Sequence, residues 1–156
     1  MKKPCFICHG PSVHSFLLFL DSKEWIHATT ENGESCLHLA GIYGHSDVTS
    51  LLLKKGADPN VRSTWEDGLR MHPLSWNVYG GHLENVRLLL ENGADVNADF
   101  DSMGKKEERQ PVTITDIALQ LANVEGDERF GKMVSLLKRY GGKTMREIQE
   151  SEESEL

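Results

Sequence analysis

Two stretches of this 156-residue chain are near-copies of each other: residues 45–60 read HSDVTSLLLKKGADPN and residues 82–97 read HLENVRLLLENGADVN, 37 positions further on. A fixed period of this length marks a chain assembled from stacked supersecondary units. Each unit leaves its apolar face bare until a neighbour covers it, so the chain has to fold as a row sharing one seam. Side chains outside the seam are free to differ between units, which makes such a row a surface for binding.

In the first full unit, 35–44 (SCLHLAGIYG) reads as a helix in which the small Ala40 and Gly41 admit a close neighbour. Gly44-His45 turns the chain. A second helix over 47–55 then carries Val48, Leu51, Leu52 and Leu53 as its apolar stripe. It ends at Gly56, a residue suited to the left-handed cap that closes many helices. The second unit repeats the plan with 72–81 (HPLSWNVYGG), then Val86 with Leu88, Leu89 and Leu90, then Gly93. A looser third unit has helices over 113–121 and 132–140, with 122–131 replacing the compact Gly-His turn. Upstream, 15–29 takes the place of a degenerate half-unit.

These residues resemble the ankyrin repeat family, whose unit runs G-x-T-P-L-H-x-A-A-x-x-G-H and then LLL-x-x-G-A-D-V-N-A. Gly33, Leu37, His38, Ala40, Gly44, His45, Leu51–Leu53, Gly56, Ala57, Asp58 and Asn60 fit it in the first unit. Pro73, Leu74, Gly81, His82, Leu88–Leu90, Gly93–Asn97 and Ala98 fit it in the second. Ser75 and Asp116 depart from it where the family has histidine, and Asn77 where it has alanine. The resemblance implies an all-α solenoid of about three repeats plus an N-terminal half-repeat. Its boundaries are 15–29, 30–62, 63–98 and 99–144, between a frayed or capping segment at 1–14 and an acidic tail at 145–156.

The resemblance further implies a non-catalytic protein–protein interaction module, an adaptor or small assembly subunit. It would contact its partner through the concave face of the first helices and the loop tips. On that face the positions free to vary are Ile42, Tyr43, Tyr79 and Gly80; the tips include Glu31, Asn32 and Glu34. Before the second unit the loop 62–71 (RSTWEDGLRM) is longer than the repeat needs, and presents Trp65, Glu66 and Arg70. Trp65 either anchors a partner, as buried aromatics do, or folds back onto the stack. Trp76 is read as structural. A second insertion, 99–111, reads as disordered over 103–110. By resemblance alone, Asn60 and Asn97 stand at positions open to asparaginyl hydroxylation.

Charge and cysteines narrow the setting. Of the formal charge of −7, the stretch 146–156 holds a large part, with five glutamates against one arginine. The body is mildly acidic, which argues against a broad nucleic-acid surface. Three cysteines without framework spacing fit a reducing compartment, cytoplasm or nucleus. No run approaches the length needed to cross a bilayer. The segment 16–20 (FLLFL) leaves an apolar end at which a partner or a second copy is expected to dock.

Cys5, Cys8 and His9 fit C-x-x-C-H, the haem attachment string, and with His14 could supply zinc ligands. A metal- or haem-binding protein is therefore the alternative reading, although no cofactor is expected. No nucleophile elbow or phosphate-binding loop is present, so the chain reads as no enzyme, or as the regulatory fragment of one. His38, His45 and His82 read as structural residues bonded to neighbouring backbone.

Overall fold

The computed structural model describes residues 26–64, 70–102, 106–125 and 127–154. Its helices come in pairs: α1 (Cys36–Tyr43) with α2 (Ser46–Lys54), α3 (Pro73–Tyr79) with α4 (Leu83–Glu91), and α5 (Ile114–Glu125) with α6 (Glu128–Arg139). A last helix, α7 (Met145–Glu153), follows. The first helices stack as α1–α3–α5 and the second helices as α2–α4–α6, giving the two-layered all-α solenoid that the period requires. One apolar cluster runs through all three pairs. It includes Leu52 and Leu53 of α2, Leu89 and Leu90 of α4, Ala118 of α5, and Met133 and Leu137 of α6.

Local chemistry fixes the ends of these helices. Pro73 opens α3, where its missing N–H goes unneeded. Each second helix closes in the same way. Gly56 N–H donates to Leu53 C=O at 3.0 Å and Ala57 N–H to Leu52 C=O at 3.0 Å. The same pair of bonds recurs at Gly93-Ala94 and at Gly141-Gly142. The glycine in each cap has positive φ (91°, 86° and 83°), the geometry of a Schellman turn.

Between units the asparagines that follow these caps act as clamps. Asn60 Nδ2 donates to Gly93 C=O at 2.9 Å, and its Oδ1 accepts from Asp95 N–H at 2.7 Å. Asn97 does the same one unit later, donating to Gly141 C=O at 3.1 Å and accepting from Lys143 N–H at 2.7 Å. Each side-chain amide thus pairs with one donor and one acceptor of the next loop and sets the spacing of the stack.

The loops between pairs form short fingers. Thr29 bridges Ser35 in the first, and Thr64 N–H of the second finger donates to Asn32 C=O at 3.0 Å. That approach needs Gly33: at φ 74°, a Cβ there would lie 2.6 Å from Thr64 N. In the third finger β1 (Phe100–Asp101) pairs antiparallel with β2 (Pro111–Val112). Ser102 and Gln110 continue the ladder, whose base holds the buried Phe100, and the described part of the stretch read as disordered contains a 3-10 turn, Lys106–Glu108.

The third pair also differs from expectation. Its helices run four residues longer at the end of α5 and four earlier at the start of α6, leaving only 126–127 between them instead of 122–131. Asp127 caps α6 by accepting from Arg129 N–H at 2.8 Å, and Phe130 is buried at the register position of His82. A hydrophobic ring there replaces the Gly-His turn. Downstream, the acid-rich tail forms α7, started by a Thr144–Glu147 capping box and with no buried residue. It is tied on through Asp116. Asp116 Oδ2 accepts from Thr113 N–H at 2.9 Å and from Met145 N–H at 3.0 Å, while Lys138 pairs with Glu147 at 2.6 Å.

Where α1 meets α3, two departures from the family pattern compensate each other. Asn77 is fully buried, and its Nδ2 donates to Pro73 C=O at 2.8 Å. Space for it comes from Gly41, at which an added Cβ would lie 2.4 Å from Asn77 Nδ2. Gly41→Ala is therefore expected to destabilise the chain by about 1–3 kcal/mol through overpacking, and by clearly less in an Asn77→Ala background. Urea unfolding of the two single variants and the double variant measures the coupling, and strict additivity would show that the two residues do not share this space.

Candidate functional site

Stacking brings the equivalent positions Ile42, Tyr79 and Gln120 into line, at the C-terminal ends of α1 and α3 and in the middle of α5. Ile42 is 37% exposed and its neighbour Tyr43 50%. The Tyr43 ring stacks on His45, with centroids 6.0 Å apart. Tyr79 is half-buried against the core, and burial raises its hydroxyl pKa. Gln120 is exposed, and one helical turn beyond it Val124 is 78% exposed. The result is an apolar and aromatic strip on the first two pairs, continued on the third by Gln120 and Val124. α1 and α3 contain no Asp, Glu, Lys or Arg, whereas α5 carries Asp116 in its first turn and ends at Glu125.

Val124 is the member that sequence reading missed. With the helix expected to stop at 121, position 124 fell in a turn; the register of Ile42 and Tyr79, extended by one turn, would have found it. Gly80, by contrast, does not belong among the freely varying positions. A Cβ there would lie 2.4 Å from His82 Cδ2, and one at Gly44 would lie 2.5 Å from His82 Nδ1, so both glycines make room for that ring. Trp76 packs against the core, as its position suggested.

On the finger side Arg70 is exposed and takes φ 53°, the one non-glycine residue with positive φ among those described. Arg62 Nη2 meets Asp99 Oδ1 at 2.9 Å, joining the second finger to the third, and this bond holds the Asp99 carboxyl below its usual pKa. Trp65 and Glu66 lie outside the described residues, as do Cys5, Cys8, His9 and the apolar run 16–20. Among the described residues no cluster of three His, Cys, Asp or Glu side chains is placed to hold a metal ion. No described helix is long and apolar enough to cross a membrane.

The three histidines separate in role. His38 is fully buried: its Nδ1 accepts from Ser35 N–H at 3.0 Å, and its Nε2 lies 3.0 Å from Met71 C=O. An accepting Nδ1 leaves the proton on Nε2, so the ring is neutral and ties α1 to the next finger. Asp116 holds the equivalent place in the third unit. His45 and His82 bond to neighbouring turns through their backbone N–H groups, to Ala40 C=O at 3.0 Å and Asn77 C=O at 2.9 Å, while their side chains pack against Tyr43 and the two glycines. The expectation of side-chain bonds to backbone thus applies to His38 and not to the other two.

A second concavity of about 700 Å³ lies between α4 and α6 in the second-helix layer, floored by Leu83, Gly131 and Leu136. On its rim Arg87 is already held by Glu84 and Glu91, and Lys132 pairs with Glu128 at 3.3 Å. Arg139 lines it as well, and no nucleophile beside a base does.

Comparison with known proteins places these features. A family model described as ankyrin repeats, in three copies, matches residues 7–100, more than half of the chain. The match begins upstream of residue 15 and ends before α5 and α6. A protein named ankyrin repeat and SOCS box protein 14, from Mus musculus, is 37% identical over 122 residues, 74% of this chain and 18% of that protein. The ankyrin repeat and KH domain-containing protein mask of Drosophila melanogaster is 36% identical over 104 residues, covering 66% of this chain and 2% of its own length. Human NF-kappa-B inhibitor alpha is 40% identical over 55 residues, 35% of this chain and 14% of its own. The chain thus spans a small part of the relatives it matches.

Burial holds the His38 pKa at about 4, against an ordinary 6.5, and lowers that of His72 as well. The unfolded chain therefore binds more protons than the folded one between these two values. The stability that neutral His38 contributes is complete above pH 6.5 and is lost as the pH falls toward 4. Urea unfolding at pH 7 and pH 4 should differ by on the order of 3 kcal/mol from this residue. A His38→Asn variant should show a smaller dependence, and an equal dependence would refute the assignment.

Proposed function

This chain belongs to the ankyrin repeat family, and from that premise we propose that it is a non-catalytic adaptor that binds a protein partner across its first-helix layer and finger tips. Ankyrin repeats in general mediate protein–protein interaction. The observation that carries the reading is the apolar and aromatic surface of Ile42, Tyr43 and Tyr79 on α1 and α3, continued by exposed Val124 on α5, on helices joined by one seam and the asparagine clamps. A surface fixed before contact loses little conformational entropy on association, which favours equilibrium binding. Names of the relatives join ankyrin repeats to a KH domain or a SOCS box, and one relative is named as the inhibitor of another protein. Those names support a recognition role for the repeats.

Site-specific photocrosslinking in native extract tests this. A benzophenone side chain would replace Tyr43, Tyr79 or the finger residue Asn32, with Lys54 on the second-helix layer as the comparison site. Light-dependent protein adducts are expected from the first three positions and much less from the fourth. Adducts at Lys54 alone, or at none of the four, would reject the proposed binding face.

A further inference from the structure

We infer that Asn32-Gly33, at the tip of the first finger, is a site of spontaneous backbone modification, where the asparagine cyclises to a succinimide and reopens as aspartate and isoaspartate. The inference does not depend on the adaptor reading, although it falls on a tip which that reading gives to the partner. In the first step the Gly33 amide nitrogen, having lost its proton, attacks Asn32 Cγ. The new N–C bond closes a five-membered ring, and the side-chain nitrogen takes up a proton and leaves as ammonia. Water then adds to either ring carbonyl. Opening at one restores the ordinary main chain with an aspartate side chain. Opening at the other routes the main chain through the side chain and leaves the former main-chain carbonyl as a free carboxylate, which is isoaspartate. A side chain on the following residue crowds the attacking nitrogen, and glycine has none.

Two asparagines meet that condition, and the fold separates them. Glycine follows Asn32 and Asn92, whereas Asn60, Asn77, Asn85, Asn97 and Asn123 precede valine or alanine. At 92–93 the chain is held from several sides. Asn92 Nδ2 donates to Leu88 C=O at 2.8 Å, and Asn92 N–H lies 3.2 Å from the same carbonyl and 3.1 Å from Leu89 C=O. Gly93 N–H donates to Leu90 C=O at 3.2 Å, and Gly93 C=O accepts from the Asn60 clamp at 2.9 Å. Ring closure there has to pull apart the cap of α4 together with a bond between units.

Asn32 is exposed, and its side-chain amide makes no hydrogen bond among the described residues. Its backbone is held by Gly33 N–H donating to Thr30 C=O and by Thr64 N–H donating to Asn32 C=O, both at 3.0 Å. Behind the tip, Thr30 N–H donates to Glu34 C=O at 2.9 Å, and Thr29 bridges Ser35. A local opening that releases the Gly33 nitrogen therefore leaves the helix caps and the apolar seam in place, and such openings have the lowest free energies in a fold. The products change the finger in two ways. Aspartate or isoaspartate adds a carboxylate between Glu31 and Glu34. Isoaspartate also removes from the main chain the carbonyl that Thr64 N–H uses, which unties the first finger from the second.

The test is incubation of the full chain in mildly alkaline buffer at body temperature, sampled over weeks by peptide mapping with mass spectrometry. Isoaspartate is read by methyl transfer from S-adenosylmethionine with an isoaspartyl carboxyl methyltransferase. Asn32 should convert at least about tenfold faster than Asn92 in the folded chain, with isoaspartate among the products. In urea the two sites should convert at comparable rates, because the difference between them lies in the fold. Asn60→Ala, which removes the bond to Gly93 C=O, should speed conversion at Asn92 and not at Asn32, and its thermal midpoint shows whether it is folded. Amide shifts of the isoaspartate form should move at Thr64. Conversion at Asn92 as fast as at Asn32 in the folded wild-type chain, conversion at neither, or aspartate without isoaspartate would overturn the inference. An unmoved Thr64 amide would overturn the untying of the fingers.

Discussion

No helix pair in this chain is closed by itself. α1 and α2 bury Leu37, Leu52 and Leu53 only because α3 and α4 lie against them, and the same dependence passes from the second pair to the third. The seam that results is apolar and directionless, so hydrophobic contact alone would not fix how far one unit is rotated or shifted against the next. Directional bonds do that. Asn60 and Asn97 each reach across to a carbonyl and an amide of the following loop, and His38 reaches Met71. Burial supplies the attraction and these few polar groups supply the register. The exposed strip stays aligned across three units because both are present.

Departures from the repeat pattern come in matched sets, and each set is a small packing problem with a local solution. Asn77 enlarges a position that should be small, and Gly41 across the interface shrinks to receive it. Asp116 replaces a histidine and so cannot donate to a following finger; as an acceptor it gathers the amides of Thr113 and Met145 and anchors α7. Phe130 stands in place of the turn histidine and is buried, where α5 and α6 each run about a turn further than the repeat pattern. That extension leaves Val124 exposed one helical turn beyond Gln120, the residue in line with Ile42 and Tyr79.

Much of the fold was legible because the leucine triads, the Gly-Ala-Asp segments and the Gly-His turns recur at one spacing, and a recurring apolar stripe has few ways to be buried. The exposure of Ile42 and Tyr43 was equally legible, since a position that faces away from the seam is known once the register is known, whereas Tyr79 packs partly against the core. What escaped were features with no repeat to compare against. The third pair has no Gly-His turn to mark where α5 stops, and the buried Phe130 near Gly81 joins residues about fifty positions apart. The hairpin at 100–112 depended on Phe100 being buried under it, and the polar, sign-mixed sequence between gave no hint of order. Gly80 looked free because its constraint is the ring of His82, which acts in three dimensions and leaves no periodic trace.

By itself the sequence determined that this protein is a row of helix pairs with one shared seam, because a 37-residue recurrence of apolar stripes and glycine caps specifies each unit through contacts within it and with its nearest neighbour. Which side chains stay uncovered was decided only by the tertiary structure. Exposure depends on how far each helix runs and on what the adjoining unit places against it, as with Val124 left open and Gly80 occupied. Those are sums over distant residues, and no local pattern encodes them.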